Sequence, residues 1–187
     1  GDAATIMGGI DASESQVSAI RAQLGLDRSL PAQYVTYLSD VVHGNLGNSL
    51  RERRPVVNVL VDRFPVTLTL ALVAFVISLA LGLGLGLLAG LRPGSTVDRL
   101  TLLFTTIGLA LPEFWFGFLL ILLFAVKLGW FPVLGLPPEG LTLAASWTLL
   151  LPAVTLAIPR AAQLARLARA RVLEERRADY VRTARSK

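Results

Sequence analysis

Between Arg63 and Arg92 the chain carries no charged side chain. A helix needs roughly 20 apolar residues to cross the hydrocarbon core of a bilayer, so residues 64–91 can span it with tilt to spare. Two further stretches extend the pattern. Residues 100–126 are interrupted by one charge, Glu113, and residues 140–159 by none. The expected spans are residues 65–91, 100–126 and 144–165. Composition agrees: 53% of the residues are hydrophobic and 17% charged, against about 25% charged in soluble domains. Mean hydropathy is +0.61. The expected fold class is all-α, a polytopic membrane helix bundle with about three transmembrane helices and additional external amphipathic helices.

The net charge of +5 is unevenly placed. From Arg160 onward there are nine Lys/Arg and three Asp/Glu, whereas residues 1–63 hold six and seven. A basic excess just beyond a span marks a cytoplasmic flank rather than a nucleic-acid surface. Three spans put the two ends on opposite sides. Residues 1–63 are therefore expected outside, 92–99 inside, 128–143 outside and 166–187 inside. The protein is expected in the cytoplasmic membrane, with the bilayer as a partner and no nucleic acid. An external first region without a signal sequence or initiator methionine suggests a fragment, with an earlier span upstream.

Within residues 1–63, Ser13 and Gln16 have the spacing of a capping box, and Val17, Ile20 and Leu24 follow at helical spacing to Gly25. A second amphipathic helix begins near Pro31, with Tyr34, Leu38 and Val41 or Val42 on one face, and ends at Gly44. Such helices lie on the membrane surface or pack on the outer ends of spans. A turn-rich stretch follows, and then a small basic cluster at 51–54. Trp130, Phe131 and Trp147 gather on one side of the second and third spans, as an interfacial aromatic belt does.

The chemistry-bearing residues are few. Cysteine is absent, which excludes disulfides, thiolate metal sites and cysteine nucleophiles. His43 is the only histidine and has no clustered second ligand, so no metal is expected. Ser78 has no base placed to activate it, and no enzyme activity is expected. Residues 82–90, GLGLGLLAG, match a loose dinucleotide fingerprint, but inside an uncharged span and without the strand that motif requires. Gly82, Gly86 and Gly90 instead make a stripe at which another helix can approach closely. Glu113 costs on the order of 2.5–3.5 kcal/mol to leave in lipid, so it faces the bundle interior, a partner or a translocation path. Pro112 beside it favours a local bend. In the tail, Leu173, Tyr180, Val181 and Ala184 share a helical face, suited either to anionic lipid or to docking a cytoplasmic partner.

Longer segments are similar to one family. LGLDRSLPAQYVTYL (24–38), HGNLGNSL (43–50), RFPVTLTLAL (63–72), LPEFWFG (111–117), LGWFPVLG (128–135) and VLEERRADYVRTARSK (172–187) together resemble the permease subunit of peptide/nickel-type, binding-protein-dependent ABC importers. Asn45 stands where that family usually has aspartate, and Ser186 where it usually has alanine. The resemblance implies a permease that moves small peptides or a related solute without chemistry of its own. It further implies cytoplasmic ATP-binding subunits that use the ATP, a second permease subunit and an extracytoplasmic substrate-binding protein. This chain itself binds no cofactor on that reading. Asp179, Tyr180, Val181, Arg182, Thr183, Ala184, Arg185, Ser186 and Lys187 fall in the family's coupling segment, which fits a groove on the ATPase. On this division residues 1–63 form an external region and 64–187 a partial permease domain. A membrane-anchored structural or assembly protein without transport activity is the alternative.

Overall fold

The computed structural model describes residues 3–9, 12–133, 147–176 and 178. Among these, the regular structure is helical, apart from one isolated bridge between Asn48 and Pro55. The chain is an all-α membrane helix bundle, and it divides into two compact units, Gly1–Pro65 and Val66–Lys187.

The first unit contains α1 (Ala3–Gly8), α2 (Glu14–Gln23) and α3 (Leu30–Val42). The capping box at the start of α2 is formed. The Ser13 hydroxyl accepts from the Gln16 amide at 3.3 Å, and the Gln16 side chain accepts from the Ser13 amide at 3.0 Å. Gly25 and Gly44 follow the two helices with φ of 65° and 82°, left-handed conformations that glycine adopts without a Cβ clash. Pro31 lies in the first turn of α3, where its missing N–H costs nothing. His43 closes that helix, its Nδ1 lying 2.7 Å from the Ser39 carbonyl oxygen. The cluster at 51–54 is less basic than it reads. Glu52 accepts from Arg54 Nε at 2.9 Å and from Arg63 Nη2 at 2.8 Å, and Arg54 also pairs with Asp62. The Arg54 guanidinium holds the Glu52 carboxyl below its usual range.

Helix α4 (Val56–Leu91) opens in the first unit and continues in the second. It starts well before the span expected at 65–91 and runs through Pro65. Its 36 residues rise about 54 Å at 1.5 Å each, beyond the ~30 Å of a bilayer core. The second expected span, 100–126, is not one helix. Helix α5 (Thr96–Ala110) ends at Leu111, and α6 (Glu113–Leu120) leaves at a bend of 105°. Pro112 is the cause. It has no N–H to give, and its ring forces Leu111 into an extended conformation with ψ of 131°. Helix α6 then unwinds into a π-helical run, Ile121–Lys127. The last helix, α7 (Leu150–Glu175), follows a 3-10 turn at Trp147–Leu149 and extends ten residues beyond the end expected at 165.

Helix α7 is the post around which the second unit is built. A Cβ on Gly82 would lie 2.9 Å from the Ala161 carbonyl oxygen, one on Gly86 2.6 Å from that of Ala165, and one on Gly90 2.6 Å from Val172 Cβ. Helices α5 and α6 approach by the same device, Gly108 against Ala162 and Gly117 against Thr155. The facing stripe on α7 is Ala153, Ala157, Ala161, Ala162 and Ala165, each with no exposed surface. Thr101 is the largest side chain fully enclosed. A core of glycine and alanine suits lipid, where burying large side chains gains little over leaving them in hydrocarbon and close backbone contact holds helices together.

Candidate functional site

Among the described residues, Asp98–Arg169 and Glu113–Arg160 are ion pairs that connect α7 to its neighbours, and their environments differ. The first closes the α4–α5 turn. Ser95 caps α5 by accepting from the Asp98 amide at 3.3 Å. Asp98, 3% exposed, turns back so that Oδ2 accepts from the Gly94 amide at 2.9 Å and from Arg169 Nη2 at 3.0 Å, while Oδ1 accepts from Arg169 Nε. The planar guanidinium meets both carboxylate oxygens, the geometry for which arginine is suited. Two turns further on, Arg176 Nη1 donates to the carbonyls of Gly90 at 3.1 Å and Leu91 at 2.8 Å. These lie in the last turn of α4, where carbonyls lack helical partners. The end of α4, the turn at 92–95 and the start of α5 are thus fastened to the final turns of α7.

The second pair sits at the break between α5 and α6. Glu113 Oε1 lies 3.6 Å from Arg160 Nη1, longer than a hydrogen bond. Glu113 opens α6, where a carboxylate complements the positive helix end. Its side chain is 43% exposed and that of Arg160 66%, against 5% and 23% in the Asp98–Arg169 pair. From this break an apolar cleft of about 450 Å³ runs along α6 and α7, lined by Phe114, Phe118, Pro132, Pro152, Thr155 and Leu156 among others. Near it, Phe131 stacks on Trp147 with ring centres 4.9 Å apart, and Trp147 Nε1 donates to the Trp130 carbonyl at 3.4 Å. The three aromatics expected on one side do gather there.

Residues 82–187 match the family described as binding-protein-dependent transport system inner membrane component, and residues 1–71 match the N-terminal part of such membrane components. The chain belongs to this family. A probable peptide ABC transporter permease protein of Sinorhizobium fredii is 39% identical over 189 residues, covering 100% of this chain and 60% of its own length. The glutathione transport system permease protein of Escherichia coli K12 is 37% identical over 188 residues, covering 100% of this chain and 59% of its own. The chain spans about three-fifths of the length of the curated relatives it matches. The family is one of transport-system inner membrane components, and two helices, or three spans if α5 and the helical run from Glu113 to Lys127 are one broken span, are long and apolar enough to cross a membrane.

Within this permease framework, Gly82, Gly86 and Gly90 all lie buried against α7. Glu113 stands at a helix break facing a cation. The nine residues Asp179 to Lys187 lie outside the described residues. Among the described residues no group of His, Cys, Asp and Glu is arranged to hold a metal ion. Three features escaped the sequence reading. The alanines of α7 repeat at 153, 157, 161 and 165 with the same i, i+4 spacing as the glycines, and that signal was legible. The partnership of Asp98 with Arg169 spans 71 residues and has no local signature. Arg160 reads as the first residue of a basic flank, yet α7 continues well past it.

Proposed function

We propose that this chain is part of the permease subunit of an ABC importer that carries small peptides or a related solute across the cytoplasmic membrane. One observation carries the reading. The whole chain aligns with permeases whose names give peptides or glutathione as cargo. On this reading residues 1–63 face outward, toward a binding protein that delivers the solute. The α4–α5 turn and the end of α7 face the cytoplasm, and a second permease subunit completes the path. ATP is bound and hydrolysed by separate subunits.

Residues 179–187 would dock the ATPase, with Tyr180, Val181 and Ala184 as the apolar face and Arg182 and Arg185 beside it. The fastening of α7 supports this role. Arg176 stands just ahead of that segment and is hydrogen-bonded to α4, and Arg169 to α5, so a displacement of the docked segment would carry the ends of three helices with it. Such motion between rigid elements is the usual currency of coupling.

The test is ATP-dependent uptake of a defined mixture of di- and tripeptides by the full-length permease reconstituted with its ATPase, binding protein and second permease. An assembly protein would form the complex and transport nothing. Tyr180→Ala empties the centre of a small interface and should weaken ATPase retention by about 2 kcal/mol, roughly thirtyfold. Ala184→Trp should block docking, because a groove does not widen as lipid does. Normal retention in both variants would leave the tail a lipid-lying helix.

Orientation is checked separately, by an impermeant thiol reagent applied to spheroplasts. Residues 1–187 hold no cysteine, so in a full-length chain that is otherwise cysteine-free single substitutions report cleanly. Ser15→Cys should label, while Ser95→Cys and Ser186→Cys should not. The reverse pattern would invert the topology.

A further inference from the structure

Of the ion pairs among the described residues that join α5 or α6 to α7, only one is built as a structural bond. Asp98 and Arg169 share two hydrogen bonds in a nearly dry site. Glu113 and Arg160 make none. They stand 3.6 Å apart, and among the described residues neither has another hydrogen-bond partner. A guanidinium with five donors and a carboxylate with two acceptor oxygens are therefore left largely unsatisfied.

Depth decides where these groups can face. Arg160 lies nine residues before Arg169 on α7, about 14 Å along the axis at 1.5 Å per residue. With Arg169 at the level of the α4–α5 turn, that places Arg160 near the middle of a ~30 Å core. Leaving an arginine and a glutamate in lipid at that depth costs on the order of 2.5–3.5 kcal/mol each. Nor does anything in the local architecture call for charge there, since α5, α6 and α7 already pack through Gly108–Ala162 and Gly117–Thr155. With 66% of the Arg160 side chain and 43% of that of Glu113 exposed among the described residues, the pair is open to water or a polar solute. Beside it opens the apolar cleft, with Phe114 next to Glu113 in sequence and Leu156 one turn before Arg160 on α7. Its volume, about 450 Å³, is in the range of small-molecule sites.

The geometry points to Glu113 and Arg160 as a charge-reading station on the translocation path, taking the ends of a zwitterionic solute: its carboxylate on Arg160, its ammonium on Glu113. The inference rests on the permease reading and adds to it the residues that contact cargo. The loose pair stands at ion-pair distance when the path is empty, and each member turns to the solute as it passes. The neighbouring cleft accepts an apolar side chain between the two charged ends. The buried Asp98–Arg169 pair has no such freedom and fastens α5 to α7.

The test uses the full-length permease, cysteine-free apart from the probe, assembled with cysteine-free partner subunits. Arg160→Cys should react with a water-soluble, membrane-impermeant thiosulfonate at least tenfold faster than Ala165→Cys, which lies in the glycine–alanine interface. With Arg160 intact, a probe at Leu156→Cys, one turn away in the cleft, should react severalfold more slowly when the mixture of di- and tripeptides is delivered by the binding protein with ATP. Arg160→Gln should cut uptake of the same mixture at least tenfold with ATPase retention unchanged, and Arg160→Lys should recover most of it. A rate at Arg160→Cys as slow as at Ala165→Cys would put the residue against protein and overturn the assignment. So would labelling of Leu156→Cys indifferent to peptide, or undiminished uptake by Arg160→Gln. Failure of the permease reading shows differently, as absence of ATP-dependent uptake by the unsubstituted complex.

Discussion

Gly86→Leu should remove most of the folded permease from the membrane, whereas Gly84→Leu should leave it intact. The two residues are two positions apart, on either side of Leu85, and both are glycines in one apolar helix. Their surroundings differ completely. A Cβ on Gly86 would fall 2.6 Å from the Ala165 carbonyl oxygen and 2.7 Å from Ala168 Cβ, while one on Gly84 would meet nothing within 4 Å. Backbone cannot rotate out of the way as a side chain can, so relief requires α4 and α7 to separate, and Gly82 and Gly90 would lose their contacts together. Overpacking a close interface typically costs about 1–3 kcal/mol for a methyl-sized excess, and a leucine adds several such groups. Gly84→Ala should even stabilise α4 slightly, since alanine is favoured over glycine in helices by up to about 1 kcal/mol. The measurement is the yield of monodisperse complex after detergent extraction. Equal yields for Gly86→Leu and Gly84→Leu would show that α4 does not approach α7 along this stripe.

Asp98→Ala should destabilise the bundle by about 3 kcal/mol, more than a hundredfold in the folding equilibrium. Removing one member of a buried pair leaves the other charge uncompensated, and such losses commonly reach about 3–5 kcal/mol. The lower end applies because the Arg169 side chain keeps 23% of its surface exposed and can turn toward water. The damage is not only electrostatic. Asp98 also accepts from the Gly94 amide, so the α4–α5 turn loses its tether at the same time. Asp98→Ala combined with Arg169→Leu should recover part of the loss, since no charge is then stranded. Unfolding in mixed detergent micelles measures both variants. A single variant within 1 kcal/mol of the parent would mean that the pair is solvated and the fastening of α7 lies elsewhere.

Much of this architecture was legible in the residues. Length without charge marked the membrane helices, because a bilayer cannot solvate a bare backbone or a lone ion. Pro112 marked the break, since its ring acts on its own neighbours, and Ser13 with Gln16 marked the start of α2 for the same local reason. The glycine stripe at 82, 86 and 90 announced a close approach. The wording of the permease family was equally open to reading, since a motif survives in the order of its letters.

What stayed hidden is relational. The stripe says that something packs on Gly86 but not that Ala165 does, because helical periodicity describes one helix and not its partner. The 105° bend turned one expected span into two helices, where the sequence foretold a kink without its size. Asp98 reads as an ordinary residue of a helix first turn, and Arg169 as one of nine basic residues near the end. Only the antiparallel packing of α5 on α7 brings them into one bond across 71 positions. The same packing set Arg160, which reads as a flank residue, opposite Glu113 at the α5–α6 break. Local chemistry acts between neighbours along the chain and can be read there. Pairing between helices depends on their relative rotation and depth, which the folded backbone alone decides.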